Sequence, residues 1–196
     1  MTTKGQTKTR KRNPRKTAAS SRRRRSEARA PLPTAVIQPE ASRPYMEGYG
    51  IPSDSKGMLR WADAAARLEK SRNYWIITTR PDGRPHAVPV WGIWLEDAVY
   101  FGTDRRSRKA KNLATNPSLV IHLESGDDAV ILEGVAEEVT ERVLIKRIDQ
   151  VYSRKYKMRV SSAPGQVVIY ALRPRVAFGW RERDFNRSPT RWMFAR

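Results

Sequence analysis

Between Val99 and Pro117 the chain reads VYFGTDRRSRKAKNLATNP, an apolar run that empties into Arg105, Arg106, Arg108, Lys109 and Lys111 and then into a short helical pattern. That order builds a site for an anion. The first turn of a helix leaves backbone N–H groups unpaired at the positive end of its dipole, and Ser107 stands where a capping hydroxyl belongs, with Arg108 and Lys109 directly behind it. A phosphate fits those donors. Charge runs are also commonly solvated turns, so the residue types alone leave both readings open.

Other chemistries have less to stand on. The chain has no cysteine, which removes thiolate nucleophiles, disulfides and zinc–sulfur sites, and its two histidines, His86 and His122, show no paired spacing for a metal. No metal site is expected, and no Ser/His/Asp triad is supported. Redox work in such a chain would fall to a bound cofactor. His86 begins an apolar run and is a candidate for lining a pocket, whereas His122 sits inside one and reads as structural.

The elements that must hold the cationic turn follow from periodicity. Leu59, Trp61, Ala64, Ala65 and Leu68 recur at helical spacing, behind a cap expected at Asp54 or Ser55, and give a helix that lids a barrel. Residues 74–79 are β-branched and aromatic, Pro81-Asp82-Gly83 makes a turn, and strands follow at 86–95 and 98–103 with barely two residues between them. Helix 107–115 stops at Asn116-Pro117, and strands 119–125 and 129–139 turn at Gly126. A helix over 140–157, capped by Thr140, precedes two last strands at 167–172 and 176–180. Short, mostly antiparallel strands with helices between them predict an α+β fold, a closed or split antiparallel barrel of six to seven strands with flanking helices. Trp91 and Trp94, three apart on one strand, should point to opposite faces.

Composition divides the chain. Residues 1–44 hold thirteen Lys or Arg against Glu27 and Glu40, a large share of the net +19, and no aromatic residue precedes Tyr45. Such a segment buries too little apolar surface to offset its ordering entropy, so residues 1–44 are expected to be a disordered basic tail, 45–57 an irregular linker and 58–196 the folded domain. Met46 offers an internal start. Lacking any long apolar run or leader-like h-region, the chain is expected to be cytoplasmic, with no membrane contact. The tail suggests a second class of function, nonspecific nucleic-acid contact through phosphate neutralisation, although nothing in it reads bases.

The S-R-K-x-K-x-L stretch at 107–113, after a strand ending Phe101-Gly102-Thr103, resembles the pyridoxamine 5'-phosphate oxidase-like, flavin-binding split-barrel superfamily. TTRPDGRPHAVPVWGIW at 78–94, NPSLVIHL at 116–123 and AVILEGVAEEV at 129–139 follow that family's order. The resemblance implies a cofactor phosphate held by Arg108 and Lys109 with Thr103 and Ser107 beside them, and a ring lying along the backbone of Val88, Pro89, Val90 and Trp91. Thr190-Arg191-Trp192 resembles a family ending that reaches the cofactor, which makes Arg191 and Trp192 candidates. The Arg and Lys that true pyridoxamine-phosphate oxidases carry along the strand at 88–94 are absent, as is their terminal Arg-Leu-x-Pro. The implied activity is therefore hydride transfer between a flavin-type cofactor, FMN or the deazaflavin coenzyme F420, and a small organic substrate. Arg105, Arg106, Lys111 and the 154–159 cluster suit the anionic tail of F420 and favour it slightly. A homodimer with the cofactor at its interface is implied as well; a non-catalytic cofactor-binding protein is the alternative.

Overall fold

The computed structural model describes residues 1–3, 38–162 and 165–195. The chain divides into two units, Met1–Pro33 and Thr34–Arg196, and every element below belongs to the second. Most of the expected basic tail, with its expected disorder and nucleic-acid contact, lies outside the described residues.

Eight strands and three helices form in the order β1 (Glu40–Ser42), α1 (Trp61–Lys70), β2 (Asn73–Thr79), β3 (Pro85–Leu95), β4 (Ala98–Asp104), α2 (Arg108–Thr115), β5 (Ser118–His122), β6 (Asp128–Glu138), α3 (Arg142–Tyr156), β7 (Val167–Arg181) and β8 (Thr190–Met193). Adjacent strands run β1-β8-β7-β4-β3-β2-β5-β6, and β6 also pairs with β7. Six strands therefore close on themselves, all pairs antiparallel. Closure leaves β1 and β8 outside the ring and pairs most of the strand edges within it, as expected of the α+β split barrel.

Alternation fills the barrel. Strand β2 buries Tyr74, Ile76 and Thr78 while the residues between them stay half-exposed, and Val99, Phe101, Ile121, Leu132 and Leu172 meet Tyr74 and Ile76 in one cluster. Helix α1 adds Trp61, Ala64 and Leu68 to that cluster, with the Trp61 ring edge-on to Trp94, Trp192 and Phe194. A second cluster forms where α3 brings Ile148, Tyr152 and Tyr156 onto Ile93, Tyr100 and Ile169. Gly102 lets the loop after α3 lie close, since a Cβ there would stand 2.3 Å from Val160 Cγ2.

Several boundaries differ from the sequence reading. The expected strands 167–172 and 176–180 are one strand, β7, which passes the break at Pro174 by a bulge: Gly134 pairs with Pro174 and Glu133 with Val176, leaving Arg175 extra. Helix α1 starts at Trp61 with Arg60 in the cap position and no side-chain cap, so neither Asp54 nor Ser55 serves. Helix α3 is capped by the Glu141 carboxylate, which accepts from Val143 and Leu144 N–H, and Thr140 does not cap it. Order also begins before the expected linker: Ala41 pairs with Trp192, and the Arg43 guanidinium donates to the carbonyls of Asp54, Lys56, Arg187 and Pro189.

Candidate functional site

Strand β3 changes partners halfway. From Pro85 to Trp91 it pairs with β2, and only from Gly92 onward with β4, where Gly92 faces Phe101. The edge of Val88, Pro89, Val90 and Trp91 that faces β4 therefore has no ladder, and Gly102, Thr103 and Asp104 of β4 pair only with β7. The two strands part there, which is the split of the barrel. Pro89, with no N–H to give, fits a stretch paired along one edge. Val88 and Val90 are half-buried and Pro89 and Trp91 exposed.

The cationic turn leaves β4 at this opening. Ser107 caps α2, its Oγ accepting from Ala110 N–H at 3.2 Å and lying 2.9 Å from Thr103 Oγ1. Arg105 N–H donates to Gln166 O at 2.8 Å and ties the turn to the start of β7. The helix buries Ala110, Asn112 and Leu113 on one face and ends at Asn116, ahead of Pro117.

The five cations are not equivalent. Arg105 forms an ion pair with Glu138, and Arg106 pairs with Asp104, whose carboxylate also accepts the Arg106 backbone N–H at 2.7 Å. These contacts hold both carboxyls below their ordinary range, Glu138 through the Arg105 guanidinium and Asp104 first through that backbone donor. Arg108, Lys109 and Lys111 have no ion pair among the described residues. Lys109 is half-buried, and desolvation lowers its ammonium. The sequence reading that assigned Arg105 and Arg106 to a long anionic tail is thus revised: both already have carboxylate partners.

Beneath the turn, α2 rests on the β2–β3 hairpin. Asn112, fully buried, donates its amide to Thr78 Oγ1 at 2.9 Å, and Thr78 Oγ1 lies 3.5 Å from His86 Nδ1. His86 is held below its ordinary value, by burial first and then by the fields of Arg80, Lys109 and Arg108. The described residues hold no cluster of three or more His, Cys, Asp or Glu able to bind a metal.

Residues 61–181 match the family profile described as pyridoxamine 5'-phosphate oxidase. The chain belongs to that family. Among solved structures it is similar to a conserved hypothetical protein of Mycobacterium tuberculosis, Rv2991, at 26% identity over 66% of this chain and 89% of that one, with a TM-score of 0.59. General Stress Protein 26 of Bacillus anthracis shares the fold at 19% identity, over 62% of this chain and 94% of its own, with a TM-score of 0.51. A heme-binding protein of Mycobacterium smegmatis does so at 20% identity, over 60% and 52%, also at 0.51. No curated protein matches the chain.

In this pyridoxamine 5'-phosphate oxidase family member the open edge of β3 ends in an aromatic stack that sequence reasoning missed. Trp91, 39% exposed, lies parallel to Tyr156, and the Arg72 guanidinium sits 5.2 Å from the Trp91 ring centroid. Trp94 faces the other way, against Trp61, as strand alternation requires. Lys155, read from sequence as part of a cationic cluster, instead points into the fold. Its Nζ donates to Gly92 O at 3.1 Å and lies 3.4 Å from Tyr74 Oη, and desolvation pushes it down to about 8. The signal was the Tyr152/Tyr156 stripe of α3, which faces inward and carries its neighbour along.

Arg191 and Trp192 are not brought to the turn by their own chain. The turn adjoins the start of β7, where Asp104 pairs with Val167, whereas Arg191 pairs with Phe178. Eleven residues of extended strand separate the two, roughly 36 Å of contour at ~3.3 Å per residue. Trp192 is 1% exposed and packs against Trp61 in the core, so its place there is structural. A concavity of about 380 Å³, lined by Arg173, Arg175 and Phe194 among others, lies near that far end and includes none of the expected site residues.

Proposed function

We propose that this chain binds the phosphate of a flavin-type cofactor, FMN or coenzyme F420, at Arg108 and Lys109, and works as an oxidoreductase on a small organic substrate. One observation carries the reading: beside the split of the barrel, Arg105 and Arg106 are neutralised by carboxylates while Arg108 and Lys109 are not. Cations left unpaired at a capped helix start fit a phosphate in both charge and donor geometry. The hydrogen-bonded Ser107–Thr103 pair leaves one hydroxyl proton to donate, and the unpaired edge at Val88, Val90 and Trp91 offers backbone groups to a planar ring. When bound, such a cofactor supplies hydride transfer. The chain's part is to grip the phosphate, orient the ring along β3 and keep water from it with Val88, Val90 and Trp91.

The preference for F420 over FMN now rests on fewer cations. With Arg105, Arg106 and Lys155 otherwise engaged, Lys111, Arg154, Lys157 and Arg159 remain to meet an oligoglutamate tail. Exposed Pro89 and Trp91 on an unpaired strand edge are a surface that a second copy would cover, and a homodimer is the proposed assembly. Light scattering checks it directly.

Titration with FMN and with F420, followed by ring fluorescence, tests the cofactor. Replacing Arg108 and Lys109 together by Ala is expected to weaken binding more than about tenfold, because each charge-assisted contact is worth roughly 1.5–3 kcal/mol. Unchanged affinity would remove these residues from the site.

A further inference from the structure

The hairpin between β2 and β3 carries a cation that no carboxylate claims. Arg80 Nε is buried without a hydrogen-bond partner. The acid nearest it in the turn, Asp82, is held by Arg84, whose Nε and Nη2 donate to Oδ2 at 3.0 and 2.7 Å. Arg80 reaches Asp82 only through space. Across the opening, Asp104 and Glu138 are likewise taken by Arg106 and Arg105. Asp82, Asp104 and Glu138 are therefore each held by another arginine, and Arg80, Arg108 and Lys109 are left as three positive charges with no ion pair among the described residues.

His86 stands among them. Its register partner is Thr78, and Thr78 is the residue on which α2 rests through Asn112. Arg108 and Lys109 precede Asn112 by four and three residues, so they lie one turn further along the same helix face, toward the hairpin. Burial first, and then the fields of Arg80, Lys109 and Arg108, hold the imidazole below its ordinary value. Like charges gathered without a counter-ion destabilise the fold unless a ligand supplies the negative charge.

We propose that Arg80 and His86 belong to the same anion cradle as Arg108 and Lys109, and that an anion settling there draws a proton from solvent onto the His86 ring. The proposal rests on the phosphate-site reading above and adds two residues and a coupled proton to it. An anion reverses the local field, so the protonated ring becomes favourable where the cations alone opposed it. By linkage, proton uptake on binding means that affinity through this residue rises as pH falls through the range in which bound His86 titrates. Thr78 is the hydroxyl positioned at Nδ1, which leaves Nε2 as the nitrogen available to the anion.

The test follows the His86 Cε1 proton by NMR in the full chain, as a function of pH, with and without inorganic phosphate at constant ionic strength; His122 is the only other histidine and serves as the internal control. Phosphate is expected to raise the His86 midpoint by about one unit and leave His122 in place. In parallel, Arg80→Gln is expected to weaken FMN binding about tenfold, and His86→Gln to flatten the rise in FMN affinity between about pH 8 and about pH 6 relative to wild type. A His86 midpoint indifferent to phosphate, or FMN affinity unchanged in Arg80→Gln, overturns the inference. If wild type does not bind FMN or F420 yet phosphate moves His86, the cradle stands and the cofactor reading fails; if both cofactors bind and His86 does not move, the cofactor reading stands and the cradle fails.

Discussion

Trp91 and Tyr156 lie face to face, ring centroids 4.9 Å apart and planes 7° from parallel. The stack joins the end of the open β3 edge to the last turn of α3, and the Tyr156 hydroxyl locks it. That hydroxyl lies 2.7 Å from Gly92 O and 2.5 Å from Arg72 O, and accepts from Gly92 N–H at 3.1 Å. Tyr156→Phe keeps the ring and takes the hydroxyl away from Arg72 O and Gly92 N–H, while Gly92 O keeps the Lys155 ammonium, so urea unfolding should show a loss of about 1–3 kcal/mol. Tyrosine-to-alanine at the same position also frees the indole, and its emission should shift to the red while the Phe variant's does not. Equal stability in all three proteins would mean that the hydroxyl anchors nothing.

The cations of the turn should separate in binding as they separate in pairing. Arg105→Gln and Arg106→Gln each disturb a surface ion pair, worth little in water, and should change affinity for FMN less than about threefold and stability less than about 1 kcal/mol. Lys111→Gln should matter for F420 more than for FMN, since only the former carries charge beyond the phosphate. Fluorescence titration of the three variants with both cofactors gives the comparison, and an Arg105 effect as large as that of Arg108 would contradict the sorting.

How much of this was legible in the sequence depends on range. Ser107 as a cap, the end of α2 at Pro117 and the opposite faces of Trp91 and Trp94 are local consequences of helix and strand geometry, and each appears as read. The carboxylates that take Arg105 and Arg106 were visible only for Asp104, two residues away; Glu138 arrives from β6, 33 positions later, with no local trace. The sequence reading placed separate strands at 167–172 and 176–180, but a bulge at Arg175 carries the chain past Pro174 and β7 runs on. Strand β1 is three residues long inside a charged region, and what fixes it is pairing to the chain's other end. His86 was legible as a pocket candidate from its place at a strand start, whereas Arg80, two positions after Thr78, carried no local signal until α2 was laid across the hairpin.

Trp192 belongs to stability. It is enclosed by Trp61 at 5.3 Å between ring centroids and by Gly179, where a Cβ would stand 3.0 Å from the indole. Trp192→Ala should cost about 3–5 kcal/mol. Under conditions where the variant remains folded, its FMN affinity should stay within about threefold of wild type if the residue plays no part in the site of its own chain. A stable variant with a specific loss of cofactor would return Trp192 to the site, most directly through a partner subunit.

Lys155 gives the fold a pH dependence of definite sign. Desolvation pushes its ammonium from 10.5 down to about 8, so between those values the unfolded chain holds a proton that the folded chain has released. Stability then rises with pH across that window, and the cost of the buried charge is fully present below about pH 8. Tyr152 acts the other way at higher pH: burial raises its hydroxyl from 10.0 to about 12, which lowers stability as pH climbs past 10. Urea midpoints read between pH 7.5 and 9.5, a range set by about those two limits, should therefore climb in wild type. In Lys155→Met, which keeps the stem packed on Tyr74 and Tyr156 and removes the charge, the same range should be flat. A parallel climb in both proteins would place the titrating group elsewhere.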